Sequence, residues 1–448
     1  MTDLLELTLT QQAEGLRDRT FSVADLHAAH LGRVAQRDPL LNAIVHLDQA
    51  LPAEPDEDAG ALAGLMIGIK DIIDVAGAPT RSGSHAAPTI PAAADAACVA
   101  TLRAQGIHPF AKLATYEYAL TGPAYDQPNP PARNPWNRDH ITGGSSSGSA
   151  AAVAGGLCRA ALGTDTGGSI RAPAAYCGIV GLKPTWGSVD MHGTVPLSES
   201  LDVIGPLAAC VSDAALVLDA LRPHHPLPAH PQLDQLPTGL TIGYARDWFV
   251  NDPACDPQVI RALDDAAATL SSFGLRIELI ALPDYALAEI AGTVILQAEA
   301  LANHKAALAT RFERYGADAR RNLLTGAVLT AEDIAIARDH AAHWRQRIDG
   351  ELTQCAALLA PTTLGPAPAF ADFKDGPVWT AMRTLPFNMT GHPAISVPCG
   401  FSGGLPLGLQ LIGRMHDEAG LCRIAYAFEQ ASDFGAHPPL QAAPQRME

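Results

Sequence analysis

The amino-acid sequence predicts an α/β protein, a single large domain in which a mixed, twisted β-sheet is covered by helices. Three observations carry this. Short apolar runs bounded by glycine, such as GLMIGIKDIID (64–74), read as buried strands. They alternate with segments whose apolar residues recur at helical spacing, and such alternation builds a helix-covered sheet. No internal repeat or clear linker divides the 448 residues, and a 48% hydrophobic composition is enough for a large core.

The elements follow in order. Apolar positions from about Leu9 to Gln36, as in ADLHAAHLGRVA, predict one or two N-terminal helices. The polar stretch PAEPDED (52–58) is a loop, and the strand at 64–74 comes next. DAACVATLRAQG (95–106) reads as a helix stopped by glycine, followed by a short strand, IHPFAKL. The stretch 121–136, dense in Pro, Asn and Gly, is an irregular connection. It leads into ITGGSSSGSAAAVAGG (141–156), a Gly/Ser loop running into a helix of very small residues. LCRAALGT is the next strand, and DTGGSIRAPAAYCGIVGLKP (165–184) reads as the second Gly-rich turn. Beyond it, helices at SDAALVLDAL (212–221) and within 283–355 alternate with strands at LTIGYA, LRIELIAL and AISVPCG.

The formal net charge of −17 excludes the concentrated basic footprint that nucleic acid or an anionic membrane requires. The nearest approach to one, Arg311, Arg314, Arg320 and Arg321, is interrupted by Glu313 and Asp318 and reads as a solvated helix face. The eight cysteines show no C-x-x-C spacing and read as buried thiols of a reducing, cytoplasmic setting. The N-terminus has no basic segment followed by an apolar core, and no run approaches ~18 uninterrupted apolar residues. The histidine pairs at helical spacing, His27 with His30 and His340 with His343, read as helix surface, so no metal site is expected.

Three segments carry candidate chemistry. GGSSSG contains a formal G-x-S-x-G from Gly144 to Gly148, with Ser146 as the nominal nucleophile. That motif needs a preceding strand, whereas here an irregular loop precedes it. A phosphate-cradling loop fails too, because Ser149 and Ala150 stand where Lys and Ser/Thr are required. TDTGGS places two glycines before Ser169, and glycine lets successive N–H groups converge on one spot, as a tetrahedral oxyanion needs. An ordinary tight turn would use the same residues. Lys70 interrupts the apolar run MIGIKDII. Such a lysine can snorkel to the surface, but the chain has five lysines against 25 arginines, and a buried lysine can become a neutral base where arginine cannot.

Taken together, Lys70 in GIKD, Ser145 at the head of the serine run and Ser169 in GTDTGGSIRAPAAYCGIVGLKP resemble the amidase signature family. The resemblance spans nearly the whole chain, including the RNPW loop, ALLAPTTLGPAPA (357–369), PFNMTGHPAISVPCGF (386–401) and LPLGLQLIGRMHDEAGL (405–421). It implies one amidase domain over residues 1–448, with a signature core at about 64–221 and a variable pocket region at about 230–390. It also implies the roles. Ser169 would be the nucleophile, Ser145 a bridging serine preceded by a cis peptide bond from Gly144, and Lys70 the base. The backbone N–H groups of Thr166, Gly167, Gly168 and Ser169 would form the oxyanion hole, and Gly143 and Gly144 would contact substrate. Ala111, Lys112 and Leu113 stand where the family often has Gly-Lys-Thr, and Ser147 where it often has glycine, which bears on the acyl pocket near Thr115 to Tyr118.

The implied reaction is hydrolysis of a linear carboxamide through an acyl-serine, with no metal or organic cofactor and a small-molecule amide as partner. No nucleic acid or membrane is expected, and a homodimer is left open. The competing reading is the glutaminase subunit of a tRNA-dependent amidotransferase complex. RFERYGADARRNLLTGAVL (311–329) lacks the glycine- and tyrosine-rich continuation associated with that subunit. The pocket walls are expected from 115–136 and 290–390.

Overall fold

Where apolar runs are short and β-branched the chain forms strands, and eleven of them join one sheet among the described residues. The computed structural model describes residues 3–432, 434 and 438, apart from 53, 55–59, 121 and 377. Most of the predicted loop 52–58, and Thr121 at the head of the irregular connection, lie outside the described residues. The strands are β1 (Ile44–Leu47), β2 (Met66–Lys70), β3 (His108–Leu113), β4 (Ala160–Asp165), β5 (Val180–Lys183), β6 (Val203–Ala208), β7 (Thr241–Tyr244), β8 (Arg276–Leu279), β9 (Ala357–Pro361), β10 (Ala394–Ser402) and β11 (Leu405–Gly413). Their order across the sheet is β1-β3-β2-β4-β6-β5-β10-β11-β9-β7-β8. The sheet is mixed: β2 runs parallel to both β3 and β4, while β4 and β6 are antiparallel. This agrees with the predicted α/β class.

Helices cover the sheet. The first two, Leu9–Arg17 and Val23–Leu41, start at capping boxes in which Thr8 pairs with Gln11 and Ser22 with Asp25. The long helices Tyr285–Arg311 and Ala331–Gln354 pack against each other. With its extension to Arg314, the former is the one helical stretch among the described residues long and apolar enough to cross a membrane, by length and composition only. Here Ala288, Ala291, Gly292 and Ile295 are packed inside the protein.

Two sequence readings are corrected. His27 and His30 are not helix surface: both are buried, and His30 Nδ1 lies 2.9 Å from the Leu157 carbonyl with its ring against Phe110. The helix Val23–Leu41 packs against the helix Ser147–Ala154, and His27 and His30 are buried on it together with Leu26 and Val34. The segment 165–184 is also more than a turn. It contains the helix Arg171–Cys177 and strand β5, both buried. All eight cysteines are free thiols, six of them buried and Cys210 and Cys255 half-buried.

Candidate active site

Lys70 ends β2, a five-residue strand with every position buried and β3 and β4 on either side. Its ammonium cannot reach water by snorkelling, and the side chain is fully buried. Nζ lies 2.7 Å from Ser145 Oγ and 2.8 Å from Thr164 Oγ1 on β4. Its nearest acidic sequence neighbour, Asp71, pairs instead with Lys112 at 2.8 Å. Burial therefore dominates and holds the Lys70 pKa down to about 7, against the upward pull of Asp202 and Asp165.

Ser145 is placed by the peptide bond from Gly144, which is cis. A Cβ on Gly144 would lie 2.3 Å from the Tyr116 ring, so only glycine fits against that aromatic wall. The small residues of the helix Ser147–Ala154 let it lie directly on β2, β3 and β4. Ser146 caps no site of its own. It is buried, and its hydroxyl exchanges hydrogen bonds of 3.2 and 3.3 Å with the Thr164 backbone. The G-x-S-x-G reading therefore has its serine facing the scaffold.

Ser169 is half-buried and lines the same cavity as Gly143, Gly144, Ser145, Thr166, Gly167 and Gly168. Its hydroxyl has no hydrogen-bond partner among the described residues, while its carbonyl accepts from Ser146 N at 3.3 Å. The predicted nest needs one correction. Both polar groups of the Gly167–Gly168 peptide are engaged: Thr384 Oγ1 donates to Gly167 O at 2.5 Å, and Gly168 N donates to Asp165 Oδ1 at 2.7 Å. Gly168 takes φ +137°, and a Cβ there would meet Thr384 Oγ1 at 2.3 Å. Its N–H is thus committed to a carboxylate and is not available to an oxyanion. The N–H groups of Gly167 and Ser169 have no such acceptor among the described residues.

Asp165 organises the turn from below. Besides Gly168 N it accepts from Ile170 N and Arg171 N, and it faces the Arg171 guanidinium through two 3.0 Å bonds. Arg171, fully buried, also donates to Gln410 Oε1 at 3.0 Å and Asn388 Oδ1 at 2.6 Å. Burial alone would raise the Asp165 pKa, but the Arg171 charge and hydrogen bonds, with Lys183 and Asn388, outweigh it and hold the carboxyl well below the usual range. On the other side of β4, Thr166 Oγ1 donates to Asp202 Oδ1 at 2.6 Å.

A cis-linked Ser145 against a buried Lys70, with Ser169 on a Gly-Gly turn, is the arrangement that the resemblance implied, and a profile of the amidase family matches residues 26–422. The chain belongs to the amidase family. It is 36% identical to a glutamyl-tRNA(Gln) amidotransferase subunit of Roseiflexus sp. (strain RS-1), covering 98% of this chain and 99% of that protein. Among solved structures it resembles a chain from a vestigial protein complex bearing on the origins of an s-triazine catabolic enzyme (29% identity, TM-score 0.86, 95% of this chain and 99% of that one). It likewise resembles the native peptide amidase of Stenotrophomonas maltophilia (28% identity, TM-score 0.81, 97% and 98%). The protein is an amidohydrolase acting on carboxamide C–N bonds.

In this amidase the serines open into a cavity of about 740 Å³. Its walls include Tyr116, Leu120 and Gly122 on one side and Glu289, Gln297, Trp379 and Met382 on the other, close to the two segments expected. The aromatic residues Tyr116, Tyr176 and Trp379 line it. Trp379 reaches over the turn, its ring 3.5 Å from where a Gly167 Cβ would stand, and its Nε1 donates to Glu289 Oε1 at 3.1 Å. Arg321 is exposed, as the solvated-face reading expects, and its side chain, paired with Asp318, also lines the cavity. Sequence reasoning passed over Thr164, Asp202, Trp379, Asn388 and Gln410. Only Thr164 had a local signal, since it stands two residues before Thr166 on a strand, and alternate strand residues share a face.

Proposed function

We propose that the chain hydrolyses linear amides through a Ser-Ser-Lys relay. Lys70 is the base, Ser145 the bridge and Ser169 the nucleophile, with the oxyanion received by the N–H groups of Gly167 and Ser169 together with Thr166. The observation that carries this reading is the buried 2.7 Å contact between Lys70 Nζ and Ser145 Oγ beside the cavity that Ser169 lines. A lysine brought to about 7 is neutral in a large fraction of molecules near pH 7, and so can accept a proton.

The steps follow from the placement. Ser169 Oγ attacks the amide carbon while its proton passes to Ser145 and the Ser145 proton to Lys70. The carbonyl oxygen becomes an oxyanion held by backbone N–H groups. Collapse breaks the C–N bond as the proton returns through Ser145 to the leaving nitrogen. Water then attacks the acyl-Ser169 by the same relay, releasing a carboxylic acid. The whole chain is taken as one amidase domain, with its signature core at about 64–221 and its pocket region within about 230–390. The eight free thiols fit a reducing compartment.

A second reading is favoured by the 36% identity to a glutamyl-tRNA(Gln) amidotransferase subunit over 98% of the chain. In that case the amide would be glutamine and the ammonia would go to a partner protein. Ammonia release by the purified chain from aliphatic amides, aromatic amides, hydrazides, ureas and glutamine separates the two. Turnover of a non-glutamine amide by the chain alone supports the free-standing amidase. Silence on every amide except glutamine, or dependence on a partner, supports the amidotransferase reading.

A further inference from the structure

We propose that Asp202 is a positioning residue for the relay, holding Thr166 at the rim of the oxyanion nest while its carboxylate stabilises the charged form of Lys70. The inference rests on the Ser-Ser-Lys reading above and assigns a part to a residue that the reading leaves idle.

Asp202 lies just before β6 and is almost fully buried. Three donors hold its carboxylate. Thr166 Oγ1 reaches Oδ1 at 2.6 Å, and the N–H groups of Leu197 and Ser198 reach Oδ2 at 2.9 and 3.0 Å. A buried carboxylate with three fixed donors does not rotate freely, so it anchors the Thr166 side chain and with it the start of the turn. Asp202 also acts on Lys70 through the charge of its carboxylate. Thr164 and Thr166 stand two residues apart at the end of β4 and share a face; Thr164 accepts from Lys70, and Thr166 donates to Asp202. The charged groups that act on Lys70 are Asp202 and Asp165. Asp165 is already neutralised by Arg171 at 3.0 Å, whereas Asp202 faces only neutral donors and Lys70. Burial raises the Asp202 pKa to about 6 against the pull of its three donors and Lys70, so above that pH Asp202 is the carboxylate left to balance a proton arriving on Lys70. The same loop is tied to the pocket wall, because Ser198 Oγ donates to Glu299 on the helix Tyr285–Arg311 at 2.7 Å, and Leu197 lines the cavity.

The consequence for the relay has a definite sign. An adjacent anion favours the lysine cation and raises its pKa, so removing the anion lowers it. Asp202→Asn should therefore shift the rising limb of the acylation rate to lower pH. Thr166→Val breaks the 2.6 Å bond while leaving the Asp202 carboxyl in place, and should lower the rate at every pH.

Phenylmethanesulfonyl fluoride allows the test without knowledge of the substrate. Its sulfur forms a bond to Ser169 Oγ, the S–F bond breaks, fluoride leaves and the serine proton enters the relay. The rate of labelling of Ser169 is followed by mass spectrometry from about pH 5 to about pH 10 in the wild type, Asp202→Asn, Asp202→Glu and Thr166→Val, each checked by thermal melt. The expected result is a limb displaced by about 1 pH unit toward acid in Asp202→Asn, restored toward wild type in Asp202→Glu, and in Thr166→Val labelling at least about fivefold slower at every pH. A folded Asp202→Asn protein with an unmoved limb would overturn the role of Asp202 and leave Lys70 as base intact. A wild-type protein without a limb, or without label on Ser169, would remove the relay itself and this proposal with it. Should Asp202→Asn fail to fold, Thr166→Val labelling at the wild-type rate would by itself refute the positioning role.

Discussion

Lys70 Nζ and Ser145 Oγ lie 2.7 Å apart with both side chains buried, and Lys70 has no carboxylate within salt-bridge distance among the described residues. This relationship separates a proton-transfer role from a charge-pairing role. Lys70→Arg should lower acylation at least ~10²-fold, because a guanidinium with a pKa above ~12 does not release its proton near neutral pH. The larger head group can also cost ~1–3 kcal/mol by overpacking, so the rate is to be compared on protein whose melt shows it folded. Retention of a tenth or more of the wild-type acylation rate would sink the base assignment.

The wild-type acylation rate should rise with pH through about 7 and level off above it, since the active form of Lys70 is the neutral one. A rate that falls over the same range would mean that the lysine acts as a cation.

Ser169→Ala should abolish both turnover and covalent labelling, because the other hydroxyl on the turn, Thr166 Oγ1, is engaged by Asp202. Ser146 should remain unlabelled in either protein, its hydroxyl being engaged with the Thr164 backbone. Peptide mapping after a sulfonyl fluoride reads this directly, and label on Ser146 would restore the G-x-S-x-G alternative.

Gly144→Ala should cost at least ~10-fold in activity and ~1–3 kcal/mol in stability, since its Cβ would overlap the Tyr116 ring at 2.3 Å. Pairing it with Tyr116→Leu should recover part of both losses. Additive losses in the double mutant would show that the two residues do not share this contact.

Arg171→Met should destabilise the protein by ~3–5 kcal/mol, because it strands the buried Asp165 carboxylate without its guanidinium. In the wild type Asp165 is held below its unfolded value, so its contribution is complete above the unfolded carboxylate pKa of ~3.9 and is lost as the pH falls through the folded value. Thermal melts between about pH 3 and about pH 7 should show a steeper acid loss in the wild type than in Arg171→Met. Equal slopes would contradict the pairing.

Much of this was legible before the fold was known, and the pattern of misses has a physical cause. Strand β2 and the helices Ala97–Ala104 and Val211–Leu221 were readable because glycine bounds and helical periodicity are local properties of the chain. Strand β11, buried at all nine positions, has no alternation to betray it, and β6 is likewise buried throughout. His30 was misread because a helix face declares its apolar residues but not what packs against them. Arg321 is solvent-exposed as its charged neighbours in sequence imply, but its place on the cavity wall depends on the fold.

By itself the sequence pointed, through its resemblance to the amidase signature family, to the residues proposed here for the chemistry. A lysine inside an apolar run, a serine on a Gly/Ser loop before a helix of alanines, and a serine after two glycines are local features, each fixed by residue type and spacing. What the tertiary structure decided was how those groups are electrically and sterically completed. The peptide between Gly167 and Gly168 is held by Asp165 on one side and by Thr384 on the other, which takes the Gly168 N–H out of the nest. Asn388 and Gln410 meet Arg171 from more than 200 positions away, and Trp379 comes to lie over Gly167 across a similar separation. Hydrogen bonds and burial at such separations depend on how the sheet brings β4, β5, β10 and β11 together, and no short-range periodicity records that.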